Sequence, residues 1–274
     1  MRLAANMSIL FSRLPFLERF GAAARAGFDA VEFWWPNREF GAGMSEEAVV
    51  AAARRANTSV VMMNFDGGDL LSGDRGLAAD PARVDAFREN VPRALELAQR
   101  LGCRKLNALA GRATPDVPLE RQQGVLAESI AFAAGQAAAL GATILLEPLN
   151  LIESPGYLIP DVPSALDLIQ RVGHPNVRVQ LDVYHVAMAG ADPAAMIRHA
   201  AGRIGHVQFA DVPGRHEPGT GRLPFADIVT ALGEAGYDDT LGLEYVPTLP
   251  EAPDFAFLAG LRRLLPMDTP RPQR

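Results

Sequence analysis

Eight times along the chain a short apolar or alternating run gives way to a longer, Ala-rich stretch with helical period, with Gly, Pro or Asp at nearly every boundary. The runs read as strands at Leu3–Ser8, Ala30–Phe33, Ser59–Phe65, Lys105–Leu109, Thr143–Glu147, Val177–Asp182, Ile204–Ala210 and Thr240–Glu244. Helices are expected near Pro15–Ala26, Ser45–Ala56, Pro81–Leu101, Leu119–Leu140, Val162–Val172, Pro193–Ala201, Pro224–Ala235 and Ala252–Leu265. Parallel strands need crossover helices, and eight such units close a barrel, so the expected fold is a single α/β domain, a (β/α)8 TIM barrel over residues 1–274 with 267–274 as a flexible tail. Four junctions, "ARAGFDAVEF", "QRLGCRKLNAL", "AALGATILLE" and "GEAGYDDTLGLE", place a Gly where a helix ends before the next strand. The competing doubly wound open sheet lacks the strand-proximal G-x-G-x-x-G that would support it.

Composition narrows the partners. A net charge of −6 without a Lys/Arg run argues against nucleic acid, whose binding rests on cations meeting phosphate, and favours a small-molecule substrate. Cys103 is the only cysteine, so no intrachain disulfide forms and a reducing, cytoplasmic setting is expected. The N-terminal segment is broken by Arg13, Glu18 and Arg19 and reads neither as a signal peptide nor as a membrane span. The tandem Trp34-Trp35 suits either a cap over a substrate or a subunit contact, which leaves a homo-oligomer open.

Strand parity carries the chemistry. Side chains alternate across a strand, and in a barrel one parity points inward. In "TILLE", "VRVQLD", "IGHVQFA" and "TLGLE" the apolar parity faces the helices, which leaves Glu147, Asp182, Gln208 and Glu244 inward near the C-terminal ends of four consecutive strands. That is the end where barrel enzymes place their sites, and two long irregular loops, 66–80 and 215–222, follow strands there. Three converging carboxylates need positive charge among them. With one amide oxygen they suit a hard cation such as Mg²⁺ or Mn²⁺ better than Zn²⁺; the plainer alternative is a polar layer completed by Arg178 or another buried base. Asn6, Glu32, Asn64 and Asn107 share the inward phase of the first four strands and serve either a substrate or one another, while His206, one layer below Gln208, is placed to orient a ligand carboxylate. His185, in "LDVYH", sits where a substrate would pass, and Cys103 reads as a small packed residue.

"LEPLN" with Glu147, "QLDVYH" with Asp182 and His185, "GHVQFADVPGRHEPGTG" with Gln208, and "LGLEY" with Glu244 resemble the hydroxypyruvate isomerases, within the xylose-isomerase-like metal-dependent barrels. The resemblance runs over nearly the whole chain. It implies a divalent metal on Glu147, Asp182, Gln208 and Glu244, with Glu147 and Glu244 as the acid/base pair of an enediolate isomerisation. Related ketose 3-epimerases contact substrate through residues matching Glu153, His185 and Arg215, and the same loop adds Glu217; Asn64 and Asn107 complete the expected substrate contacts. The chain departs from the isomerase pattern at Asn150-Leu151-Ile152-Glu153, where that family carries Asn-Thr-Arg-Asp, and at Arg222. With Ile152 in place of the arginine, the cation for a substrate carboxylate is expected from Arg215 or Arg222. A 2-oxo acid such as hydroxypyruvate is therefore the expected substrate; a ketose epimerase, a non-catalytic metabolite-binding barrel and a zinc-dependent abasic-site endonuclease are the alternatives.

Overall fold

Residues 1–250 and 253–266 are described by a computed structural model, so the expected 267–274 tail lies outside the described residues. Strands of three to six residues, buried along most of their length, close in sequence order: β1 (Leu3–Asn6), β2 (Ala30–Phe33), β3 (Ser59–Asn64), β4 (Lys105–Asn107), β5 (Thr143–Leu146), β6 (Val177–Asp182), β7 (Ile204–Phe209) and β8 (Leu241–Leu243). Every neighbouring pair is parallel, and β8 returns to β1 through Leu3↔Leu241, Ala4↔Gly242 and Ala5↔Leu243. The eight-stranded barrel is the expected fold. A barrel of eight strands is just wide enough for side chains to fill, so the interior is a packed core and not a pore.

The helices around the barrel are α1 (Phe16–Arg25), α2 (Asn37–Gly41), α3 (Glu46–Arg55), α4 (Val84–Leu101), α5 (Leu119–Ala138), α6 (Val162–Val172), α7 (Val183–Met188), α8 (Pro193–His199), α9 (Phe225–Glu234) and α10 (Phe257–Leu264). None is long and apolar enough to cross a membrane. Their apolar stripes meet the outward strand residues; Phe16 and Phe20 of α1, for example, both pack edge-on against Phe33 of β2. The four glycines anticipated at helix-to-strand junctions all have positive φ. Two short helices were not anticipated. α7 starts directly at the end of β6, where the Asp182 carboxylate accepts from the Tyr184 N–H, so no loop residue marks the change; α2 follows Pro36 in one of the connections above the barrel. The 66–80 loop also holds a 3₁₀ turn at Leu70–Ser72.

Both register shifts in the sheet immediately precede inward polar residues: Val31/Glu32 on β2 and Val179/Gln180 on β6. Glu32 is wholly buried inside the barrel. Gly242 makes room for it, because a Cβ there would lie 2.3 Å from one Glu32 carboxylate oxygen and 2.6 Å from the other. Gly242→Ala is expected to cost about 2 kcal/mol of overpacking and to lower the melting temperature by roughly 4–8 °C. A calorimetric melt that matches the wild type would show that Glu32 can move aside.

Candidate active site

β5 and β8 stop one residue short of their acidic groups, so Glu147 and Glu244 are the first residues beyond each strand, while Asp182 is the last residue of β6. All three are buried, at 5%, 3% and 1% exposure. Donor atoms of Glu147, Asp182 and His185 lie within 4.8 Å of one another. Arg215 supplies the cation. Its Nη2 donates to Glu244 Oε2 at 2.9 Å and to Asp182 Oδ2 at 3.3 Å, and its guanidinium stacks 5.2 Å from the centre of the Tyr184 ring. The Arg215 backbone takes φ +56°, a left-handed conformation uncommon for a residue with a side chain, so the loop bends sharply just where its cation must enter.

That one guanidinium leaves the cluster short of positive charge. Burial first, and then the Glu244 and Asp182 charges, push Glu147 well above the usual carboxylate range. Burial likewise raises Glu244 to about 7 and Asp182 to about 6, despite Arg215. Burial would depress Arg215, but Glu244, Asp182, Glu147 and Glu153 outweigh it and hold the guanidinium above its ordinary range. Arg178, one base named for the plainer reading, is elsewhere: its head donates to the Gly202 carbonyl at 2.6 Å and is exposed there, and the other base which that reading allowed is Arg215. Arg178 leaves at the opposite end of β6 from Asp182.

Beneath the carboxylates lies a second polar layer. Glu32 Oε1 accepts from Asn6 Nδ2 at 3.1 Å and from Gln208 Nε2 at 2.6 Å, and Glu32 Oε2 meets His206 Nε2 at 2.6 Å. Because a carboxylate only accepts, Glu32 fixes the Gln208 amide with nitrogen toward itself and oxygen away. That oxygen accepts from Gln180 Nε2 at 2.7 Å, and Gln208 pairs in register with Asp182. His206 thus orients Glu32, which in turn orients Gln208 and Asn6; Asn6 Nδ2 also reaches Glu244 Oε1 at 3.2 Å.

Above them opens a cavity of about 290 Å³, lined by Trp34, Asn64, Arg75, Glu147, Glu153, His185, Arg215 and Glu244, with Leu70, Leu71, Leu109 and Leu149 as its apolar walls. Trp34 Nε1 donates to Glu244 Oε1 at 2.9 Å, and Asn107 Nδ2 to Glu147 Oε2 at 2.7 Å. Asn64 Oδ1 and Asn107 Oδ1 are buried without a partner. Asn150 Oδ1 accepts from the Glu153 N–H, so Asn150 Nδ2 is the end that meets His185 Nδ1 at 2.7 Å. His185 Nδ1 is therefore an acceptor. Burial, with Arg215 and Arg75, keeps the ring neutral by lowering its pKa, so Nε2 carries the proton and serves as a donor lining the cavity. Glu153 accepts from Tyr184 at 2.5 Å and from Asn150 at 3.3 Å.

Other expected contacts lie apart from the cavity. Glu217 turns to the segment after β8, accepting from Thr248 N and Oγ1 at 3.0 and 2.7 Å, and so ties two loops together. Arg222 is exposed, as is Ile152 at 72%. Trp35 is buried against Phe40 and under Arg93 and does not line this cavity. Burial pushes the Cys103 thiol up to about 12, consistent with a packed, unreactive residue. Arg75 is the lining residue that strand parity gave no means of finding, since it stands in the middle of the 66–80 loop; its signal is the adjacent Gly76, which has φ +117° and whose Cβ would lie 2.1 Å from the Leu109 carbonyl oxygen.

The donor set fits a hard divalent cation. Glu147 and Asp182 bring carboxylate oxygens within 4.8 Å of one another, a single atom, Arg215 Nη2, already bridges Asp182 and Glu244 as one point of positive charge, and the amide of Gln208, whose oxygen accepts from Gln180, stands on the strand position that pairs with Asp182. His185, protonated at Nε2, suits a substrate oxygen better than a cation.

The xylose isomerase-like TIM barrel family model matches residues 20–264. A putative hydroxypyruvate isomerase of Streptomyces coelicolor is 41% identical over 270 residues, covering 95% of this chain and 97% of that protein. A 2-oxo-tetronate isomerase of Cupriavidus necator is 37% identical, covering 90% of this chain and 93% of its own length. Among solved structures, one from Brucella melitensis described as an AP endonuclease, family 2, is 37% identical with a TM-score of 0.86, over 96% of this chain and 99% of that one.

The raised carboxyls make a stability prediction. A group whose folded pKa lies above its unfolded value favours the fold while protonated; that contribution is complete below the unfolded value of about 4.3 and is lost as pH rises through the folded one. In chelator-treated protein, Glu147→Gln is therefore expected to raise the melting temperature at pH 8, with the gain shrinking toward pH 5. A pH-independent difference, or destabilisation at pH 8, would show that the cluster is already neutralised.

Proposed function

The chain belongs to the xylose isomerase-like TIM-barrel family, and from that premise we propose that it is a divalent-metal-dependent isomerase of small 2-oxo acids, hydroxypyruvate or a close homologue. The observation that carries this reading is the approach of Glu147 and Glu244 to one small cavity from β5 and β8, strands separated by β6 and β7. Two carboxylates at different sides of a substrate can remove a proton from one carbon and return it to the next. A cation held by Glu147, Asp182, Gln208 and Glu244 would polarise the substrate carbonyl and its neighbouring hydroxyl, acidifying the C–H between them and stabilising the enediolate.

The chain's own groups divide the remaining work. Glu147 has one hydrogen-bond donor, Asn107, whereas Glu244 accepts from Trp34, Asn6 and Arg215. Glu147 is thus the freer carboxylate and the stronger base, suited to taking the proton from C3 of hydroxypyruvate. Delivery of a proton to C2 from the opposite side, with the hydroxyl proton passing between the two oxygens, gives tartronate semialdehyde, an isomer of the starting compound. The His185 Nε2–H is placed to donate to a substrate oxygen, and the unpartnered Asn64 oxygen to accept from a hydroxyl. Trp34 and the leucines limit water, which would otherwise compete for the proton.

A ketose epimerase would use the same glutamates at a single carbon, so substrate tests are needed to separate the two. An endonuclease reading has less support: the lining offers one histidine against three carboxylates, and the chain carries a net charge of −6. With Mn²⁺ supplied, hydroxypyruvate is expected to isomerise with solvent deuterium entering at the new C–H. Glu147→Gln and Glu244→Gln should each lower turnover by about 10² or more, the scale of positioned acid/base groups. Turnover of ketoses but not of 2-oxo acids would contradict the substrate assignment, and near-normal rates in either variant would remove that glutamate from the mechanism.

A further inference from the structure

A 2-oxo acid brings a carboxylate that the site must recognise, and neither arginine singled out in the sequence is free to do so. Arg215 is committed to Glu244 and Asp182, and Arg222 is exposed outside the cavity. Arg75 is different. Nε donates to Ser154 Oγ at 3.1 Å, and Nη1 donates to the carbonyls of Leu70 and Asp74 at 3.1 and 2.6 Å. Nη2 has no hydrogen-bond partner among the described residues, and the side chain forms no ion pair there, although it is only partly exposed and lines the cavity.

The loop that carries Arg75 is built to hold it still. Asp74 is gripped by both Nη atoms of Arg83, at 2.8 and 2.7 Å, and accepts from the Asp69 N–H at 2.8 Å. Gly76 donates to the Gly67 carbonyl at 3.0 Å and lets the loop press against the Leu109 backbone, closer than any residue with a Cβ could. Ser154, the partner of Nε, is itself 1% exposed. A guanidinium fixed on two of its nitrogens, with the third turned free, presents a preorganised donor at little further entropic cost.

The local field favours an anion at that free edge. Burial, and after it the Arg112 and Arg215 charges, lower the Arg75 pKa; Glu153, whose charge acts the other way, is engaged by Tyr184 and Asn150, and the adjacent Asp74 by Arg83. A group in this position gains from a negative partner that the chain does not provide.

We propose that Arg75 is the carboxylate anchor of the site, selecting 2-oxo acids over neutral hydroxyketones through a charge-assisted hydrogen bond from its free Nη2. The assignment rests on the reading of the cavity as the isomerisation site. It places the substrate carboxylate beneath the β3–α4 loop, beside Ser154, and the reacting carbons toward Glu147 and Glu244.

The test compares two ligands that share a hydroxymethyl ketone and differ in charge: hydroxypyruvate and dihydroxyacetone. Binding of each to the Mn²⁺-supplemented full chain is measured by calorimetry, and the ratio of the two affinities is the readout. Wild type should prefer hydroxypyruvate, and Arg75→Gln should reduce that ratio by about 10²-fold, the scale of losing one partner of a desolvated charge pair. Ser154→Ala, which only frees Nε, should reduce it severalfold, giving a milder variant should Arg75→Gln perturb the loop. A loss of structure that weakens both ligands alike leaves the ratio at its wild-type value and counts against the proposal. So does a wild type without preference. Hydroxypyruvate that binds in an Arg75-dependent manner but is not turned over would leave the anchor standing and sink the functional reading instead.

Discussion

The balance of charge inside the barrel mouth governs the rest of the structure. Glu147, Asp182 and Glu244 are carried into a buried space by three strands, and the one guanidinium hydrogen-bonded among them cannot neutralise all three. Nearly every unusual feature nearby answers that shortage. The Arg215 backbone accepts a left-handed conformation, Trp34 and Asn107 turn their N–H groups onto carboxylate oxygens, and Asp182 caps the helix that follows it. A further buried carboxylate, Glu32, is held one layer lower by His206 and by the amide donors of Asn6 and Gln208, in a space that exists because residue 242 has no side chain. The site is thus costly to the fold in isolation, a cost expected where binding and catalysis need converging charge.

Barrel and carboxylates were legible because one rule, the alternation of side chains across a strand, decides both. Ile144 and Leu146, Val179 and Leu181, Val207 and Phe209, and Leu241 and Leu243 line the helix side, and the opposite parity necessarily delivers Glu147, Asp182, Gln208 and Glu244 to the interior. The same rule put Asn6, Glu32, Asn64 and Asn107 inside, but could not say what each would meet. Glu32 proves to be the hub of the lower layer, and Asn107 the donor that steadies Glu147.

What parity cannot reach is the loops. Arg178 has the inward phase yet lies at the wrong end of β6, so its head leaves the barrel at Gly202. Glu217 and Arg215 are two residues apart in one loop, but only Arg215 enters the site; Glu217 is captured by Thr248. Arg75 sits in a connection whose course depends on Gly76 meeting the Leu109 backbone, a tertiary contact with no local pattern to announce it. α7 was hidden for a related reason: its apolar residues continue the run of β6 without a break, and the capping Asp182 is also a site residue. Much of the cavity lining comes from these connections, so strand parity reaches the carboxylates but not the groups around them.

In the proposed reading, the charge shortage is met by a divalent cation held on Glu147, Asp182, Gln208 and Glu244. Titration of Mn²⁺ into chelator-stripped protein tests it most directly, because binding is read without reference to any substrate. One saturable site per chain is expected, weakened by at least about tenfold in Asp182→Asn, since removal of a carboxylate ligand should cost no less than disturbing its surroundings. Absence of saturable binding, or wild-type affinity in Asp182→Asn, would contradict it.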